Sequence, residues 1–292
     1  MKEIRGILTA MATPFDESGA VDEAAALKLA TYLLEHGSHG LVISGSTGEA
    51  PTLTDEEALV LLRAVRKEVG DEVLLVCGTG TNYTAHSIEL TQGAAEAGAD
   101  AALIVTPYYN KPNPAGIQAH FEAIAEAVPD LPLIAYNIPS RVVVNVPPEG
   151  LADLAKIDNV VAVKQANNDE LQPIGGLEIF AGNDDIFCKT LEIGGAGGIC
   201  VASHLVGPQM REVWDAAQAG EMERAREIDA SLRQVYAAMG VTTNPIPVKA
   251  ALEMTGLIPF GTLRLPLVPA DAEQRATVRA ALEGVGLTLV TP

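Results

Sequence analysis

Eight short apolar runs, most of them separated by amphipathic stretches of helical length, constrain this chain more than any other feature. The runs cover residues 6–12, 41–44, 73–78, 101–106, 133–137, 160–164, 178–182 and 198–203. Their interiors are nearly all apolar, as expected of parallel strands covered on both faces. Between them, 22–36 carries apolar residues at helical spacing. Segment 54–69 opens on Thr54, a good N-cap, followed by three acids that suit the positive end of a helix. Stretches 84–97, 114–127 and 147–155 follow, the last two with proline near the first turn. Eight strands alternating with helices predict an α/β fold, and the count favours a closed (β/α)8 TIM barrel over an open sheet. The sixth and seventh crossovers are short. Past about residue 220 the strand signal stops, and 221–239, 247–255 and 271–283 read as helices joined by Pro- and Gly-bearing turns. The expected division is a barrel over residues 1–220, carrying the active site, and a small C-terminal helical domain over 221–292.

The chain has 292 residues, and a barrel of this kind takes about 250. Hydrophobic residues make up 48%, enough to bury a sizeable core. Nineteen Lys and Arg stand against 38 Asp and Glu, a net charge of −19. Such a surface repels phosphate backbones and anionic lipids, so nucleic-acid and membrane partners are not expected. An anionic substrate must therefore be met by local positive groups. Residues 1–5 contain no apolar leader, and no apolar run reaches the length of a membrane span, so a soluble, cytoplasmic protein is expected. Cys77, Cys188 and Cys200 show no metal-ligand spacing and read as small core residues.

Barrel enzymes place their chemistry at the carboxyl ends of the strands and in the loops that follow. Here those ends carry Gly45-Ser46-Thr47-Gly48-Glu49, Pro107-Tyr108-Tyr109-Asn110, Tyr136-Asn137-Ile138-Pro139-Ser140-Arg141, and Lys164. Lys164 closes a buried apolar strand. Desolvation there favours the neutral amine, the only form that can attack a carbonyl. Taken alone it reads more readily as a lysine whose stem lines the barrel and whose ammonium reaches water. Hydroxyls at other strand ends tip the reading towards an imine-forming nucleophile for a small keto acid. Tyr136, on the neighbouring strand end, offers a phenol to move protons during imine chemistry. Ser46 and Thr47 lie in a glycine-bounded turn before a helix and offer hydroxyls and N–H groups to a carboxylate. Arg141 follows a proline-restrained turn and is a fork-shaped donor for a carboxylate. Each of these, taken singly, also has a purely structural reading.

Other segments carry less. Gly78-Thr79-Gly80 lacks the third glycine of a dinucleotide loop. The glycines at 194–198 precede the eighth strand, the wrong end for a phosphate site, and read as tight packing. The five histidines show no ligand spacing, and Asp184-Asp185 is thin support for a metal. No metal and no organic cofactor is expected.

As an ordered set, Gly-Ser-Thr-Gly-Glu at 45–49, Pro-Tyr-Tyr-Asn-Lys-Pro at 107–112, Tyr-Asn-Ile-Pro-Ser-Arg at 136–141 and Val-Lys at 163–164 resemble the dihydrodipicolinate synthase / N-acetylneuraminate lyase family. Asn-Pro-Ile-Pro-Val-Lys at 244–249 and Leu-Arg-Leu-Pro at 263–266 look most like its synthase branch, which condenses pyruvate with aspartate 4-semialdehyde in lysine biosynthesis. The resemblance implies an imine between Lys164 and pyruvate, Tyr136 as general acid/base, and Thr47 linking Tyr136 to Tyr109 in a proton relay. It implies that Tyr109 reaches in from a neighbouring subunit, within a homotetramer built from dimers. Ser46, Thr47 and the backbone near Gly182 and Ile199 would surround pyruvate, and Arg141 would bind the semialdehyde carboxylate.

Some positions depart from the family's pattern. Ser46 replaces the usual threonine and keeps the hydroxyl. Val142-Val143 stand where Thr-Gly is common, and Gln165 where glutamate is common, both expected near the second substrate. Lysine-inhibited members often have a histidine after Gly-x-Thr-Gly-Glu and an acid where His86 stands. Asn82 and Tyr108 match that regulatory site, but 54–58 has no histidine, so weak or absent lysine feedback is expected. Two rival readings stay open: another pyruvate-dependent aldolase acting on a sugar acid, and a barrel that binds keto acids without catalysis.

Overall fold

The computed structural model describes residues 2–290. Met1, the first residue of the N-terminal stretch, and the last two residues of the 221–292 segment lie outside it. Eight strands close a parallel barrel in sequence order: β1 (Gly6–Ala10), β2 (Gly40–Ile43), β3 (Leu74–Gly78), β4 (Ala101–Val105), β5 (Leu133–Asn137), β6 (Val160–Gln165), β7 (Glu178–Ala181) and β8 (Gly197–Cys200). The crossover helices are α1 (Glu23–Glu35), α2 (Asp55–Val69), α3 (Thr84–Glu96), α4 (Pro114–Ala127), the short α5 (Pro139–Val142), α6 (Pro148–Leu154) and α7 (Phe187–Glu192). After β8 come α8 (Ser203–Gln218), α9 (Met222–Ser231), α10 (Arg233–Met239), α11 (Ile246–Met254) and α12 (Ala272–Gly284). The expected TIM barrel with C-terminal helices is the observed fold.

The differences are local. Between β6 and β7 there is a single 3₁₀ turn, Asn168–Glu170, and no α-helix. The last strand stops at Cys200, because Ser203 begins α8 and its hydroxyl bonds Thr9 of β1 and the Cys200 carbonyl. The expected helix over 221–239 breaks at Leu232, a buried residue whose N–H donates to Asp229 and starts a new turn. Thr54 caps α2 as expected, in a reciprocal capping box with Glu57.

Alternate residues of the strands fill the barrel interior: Leu8, Val42, Val76, Leu103, Ile134, Ala162, Phe180 and Ile199 share one cluster. The outward faces pack on the helices. Helices of the tail do not form a core of their own: Val235, Val248, Leu252 and Val278 join the cluster that contains Leu33, Leu61 and Trp214. The glycine run that leads into β8 and includes its first residue is a packing device. A Cβ on Gly195 would meet Thr190 of α7, and one on Gly197 would lie 2.0 Å from the Gly6 carbonyl, so β8 could not close on β1.

Candidate active site

Lys164 belongs to the inward face of β6, two residues after the interior Ala162, and is 6% exposed. Its cross-strand partner on β5 is Tyr136, 5% exposed, and the lysine Nζ lies 4.3 Å from the centroid of that ring. This pairing depends on a register shift. Leu133 pairs with Val160, but the next residue, Ile134, pairs with Ala162, so β6 carries one extra residue. Without it Tyr136 would oppose Val163, whose side chain packs on the outer cluster.

The turn 45–49 is held from several sides. Ser44 and Glu49 bracket it with left-handed backbone, φ 56° and 57°. Thr13 donates to the Gly48 carbonyl at 2.7 Å. The buried Glu49 carboxylate accepts from Lys249 Nζ at 2.5 Å and from the Arg264 backbone N–H at 3.1 Å. Lys249 is fully buried over the ring of Phe15 and also donates to the Thr262 carbonyl. Burial pulls its ammonium below the ordinary lysine value, while Glu49 pulls the other way. Arg264 forks onto Glu57 and reaches the Thr52 and Gly19 carbonyls. Motifs 244–249 and 263–266 therefore fasten the helical tail to the barrel's active-site end.

Within that turn Thr47 is 2% exposed, and its Oγ1 accepts from Asn244 Nδ2 at 3.0 Å. The Asn244 carbonyl accepts from Arg141 Nη2 at 2.8 Å. Ser46, Tyr136, Arg141, Val142 and Asn244 line one cavity of about 520 Å³, which continues past Tyr108 to Asn82, His86 and Asp55. At that far end His86 Nε2 and the Asp55 carboxylate pair at 2.9 Å.

The remaining expected residues fall differently. Ile199 is fully buried on the inner face of β8. Gly182 follows β7; its N–H donates to the Gln165 carbonyl at 2.7 Å, and a Cβ there would strike that same carbonyl. Tyr109 lies apart from the cluster in its own chain, 87% exposed with φ 69°. Gln165, expected near the second substrate, is one residue after Lys164 and so on the opposite face of β6. It is 2% exposed and accepts from Asn137 Nδ2 and the Asn167 N–H, in an amide network with Asn145 and Glu170. Val142 is buried, whereas Val143 is 64% exposed with φ 69°, a strained backbone for a β-branched residue.

Three contributors escaped the sequence reading. Asn244 and Lys249 were legible only as motif letters, since nothing in the sequence shows what they touch. Asp184 was weighed as a metal ligand, but its carboxylate accepts from the Val201 and Ala202 N–H groups. Burial raises its carboxyl above the usual range, against those donors and the nearby charge of Lys164. The fold thus puts an acid within electrostatic reach of the lysine. Among the described residues no group of three or more His, Cys, Asp and Glu is arranged to hold a metal ion. No helix among them is long and apolar enough to cross a membrane.

A closed β/α barrel with a buried lysine and a tyrosine at adjoining strand ends, the tyrosine lining a cavity at the strands' carboxyl ends, defines a barrel enzyme of the aldolase kind. Residues 3–285 match the dihydrodipicolinate synthetase family, and the chain belongs to it. A 4-hydroxy-tetrahydrodipicolinate synthase of Synechococcus elongatus is 47% identical over 288 residues, 96% of each chain. Among solved structures, the lysine-bound enzyme of Cyanidioschyzon merolae is 38% identical with a TM-score of 0.93, over 98% of this chain and all of that one. The chloride-inhibited, pyruvate-bound enzyme of Acinetobacter baumannii is 36% identical with a TM-score of 0.94, at the same coverage.

Proposed function

We propose that this enzyme condenses pyruvate with aspartate 4-semialdehyde through an imine on Lys164, the reaction of a 4-hydroxy-tetrahydrodipicolinate synthase in lysine biosynthesis. The observation that carries the reading is the pairing of Lys164 with Tyr136 at the inner mouth of the barrel. The neutral amine attacks the ketone carbon, and the carbinolamine loses water to give the imine. Loss of a methyl proton gives the enamine, whose carbon attacks the aldehyde; the amino group of the added aldehyde then attacks the imine carbon and displaces the lysine amine, which closes the ring with the one water lost at imine formation. Each step needs a proton moved at the same place, which is the role assigned to the Tyr136 phenol. The imine nitrogen is itself the electron sink, so the reading calls for no metal or organic cofactor.

Thr47 carries protons between Tyr136 and the Tyr109 of a second copy, which accounts for Tyr109 being exposed on its own chain. Tyr83 is likewise 65% exposed, aromatic surface that another copy would cover. The assembly in this reading is a homotetramer built from such dimers, working in the cytoplasm. Ser46, Thr47 and the backbone at Gly182 and Ile199 surround pyruvate, and Arg141 takes the carboxylate of the aldehyde. Val142, which lines the cavity at a position where the synthases commonly carry threonine, favours one second reading, a sugar-acid aldolase with the same pyruvate chemistry. Borohydride reduction in the presence of pyruvate, followed by mass spectrometry, tests the mechanism; an unmodified Lys164 in the folded protein refutes both readings. Paired assays with aspartate semialdehyde and with sugar-acid cleavage then decide between them.

A further inference from the structure

The segment that enters α11 touches both halves of the site with one residue. The side chain of Asn244 bonds Thr47, 197 positions earlier, and its carbonyl holds Arg141, 103 positions earlier. A hydroxyl has one proton and two lone pairs. With Asn244 Nδ2 filling one lone pair of Thr47 Oγ1, one acceptor and one donor remain, which is the complement a relay between two phenols requires. The direction matters as well: because Asn244 donates, Thr47 cannot spend its only proton on Asn244. The opposite amide atom, Oδ1, is buried and accepts no hydrogen bond from the described residues.

We infer that Asn244 is a positioning residue of the proton relay: it orients the Thr47 hydroxyl so that its proton is available to the tyrosines, while its backbone carbonyl sets the guanidinium of Arg141 at the cavity mouth. The inference rests on the relay reading of Thr47 given above. It assigns to the helical tail a part in proton transfer, separate from the Glu49–Lys249 and Arg264–Glu57 contacts that only fasten it.

The test is steady-state kinetics on the full-length enzyme. Asn244→Asp changes the donor to an acceptor at nearly constant shape and would draw the Thr47 proton away from the relay. The expected result is a kcat at least tenfold lower, with the pyruvate KM within twofold and the borohydride-trapped adduct on Lys164 undiminished. The KM for the aldehyde should also hold, since the contact to Arg141 is from the backbone. In a Thr47→Val background, Asn244→Asp should cost nothing further. If Asn244→Asp does not fold, Asn244→Ala carries the same comparison, with a kcat loss of at least fivefold that vanishes in the Thr47→Val background. A slowed Thr47→Val enzyme alongside an Asn244→Asp enzyme within twofold of the parent would overturn this assignment alone. So would an Asn244 loss that multiplies with that of Thr47→Val. A Thr47→Val enzyme with unchanged kcat would overturn the relay and this assignment together.

Discussion

Tyr136 and Lys164 face each other across the β5–β6 pair because β6 carries one residue more than its partner between Val160 and Ala162. The side-chain period of a strand is two, so a slip of one residue would send either group to the helix side of the barrel. A local irregularity in an otherwise regular sheet is thus what brings amine and phenol into the same interior space.

Tyr136→Phe keeps the ring beside Lys164 and removes only the hydroxyl. The expected loss in kcat is about 10²–10⁴-fold, the range for a positioned general acid/base. The trapped pyruvate adduct should still form, more slowly, and the circular dichroism spectrum should not change. A kcat within threefold of the parent would remove Tyr136 from the chemistry.

Glu49 and Lys249 form an ion pair that is almost wholly removed from water, the side chains being 1% and 0% exposed. Removing one partner strands the other charge, so Glu49→Gln or Lys249→Met should each cost about 3–5 kcal/mol in denaturant unfolding. The double variant Glu49→Leu/Lys249→Met should recover much of that loss. Single variants as stable as the parent would show that the pair is not closed to solvent.

His39, His120 and His204 have their pKa values brought down to about 4, in each case chiefly by burial. Geometry agrees: His204 Nε2 accepts from the Ala12 N–H, and His39 Nδ1 accepts from the Ile7 N–H, so both rings are neutral. These pKa values lie below the ordinary 6.5, so on acidification the unfolded chain takes up protons first. Stability is therefore full above pH 6.5 and falls as the pH drops from 6.5 towards 4. Glu57 extends the decline, since the Arg264 hydrogen bond lowers its carboxyl from 4.5 to about 2. Melting temperature against pH should be flat from 6.5 to about 8 and fall below 6.5. Glu57→Gln should flatten only the part below 4.5.

Val143 ends α5 in the left-handed region with most of its side chain in water. Asparagine tolerates that backbone and gives up little burial there, so Val143→Asn should raise stability by about 1 kcal/mol. A destabilised variant would mean that the exposed valine is covered in the working protein.

His86 and Asp55 satisfy each other at the far end of the cavity, beside Asn82 and Tyr108. His86 stands where lysine-inhibited members often carry an acid, and 54–58 has no histidine, so lysine should inhibit weakly or not at all. Half-inhibition at submillimolar lysine in the coupled assay would contradict this.

The barrel was legible because buried parallel strands need unbroken apolar runs and the covering helices need amphipathic ones, and both patterns lie within short windows of sequence. Lys164 was legible for the same local reason: a charged residue closing an apolar strand at the end where barrels keep their sites. Strand phase was not legible, because Val160, Val161, Ala162 and Val163 are all apolar and no alternation marks which of them point inward. Gln165 illustrates the consequence, expected beside a substrate and found in an amide network behind β6. Nor could the residues alone reveal that Glu49 meets a lysine 200 positions away, that Thr47 meets Asn244, or that Asp184 lies near Lys164. Propensity and periodicity act over a few neighbours along the chain and choose the elements. Hydrogen bonds, desolvation and charge act over a few ångströms in space, and only the closed barrel with its tail bound across the top sets those distances.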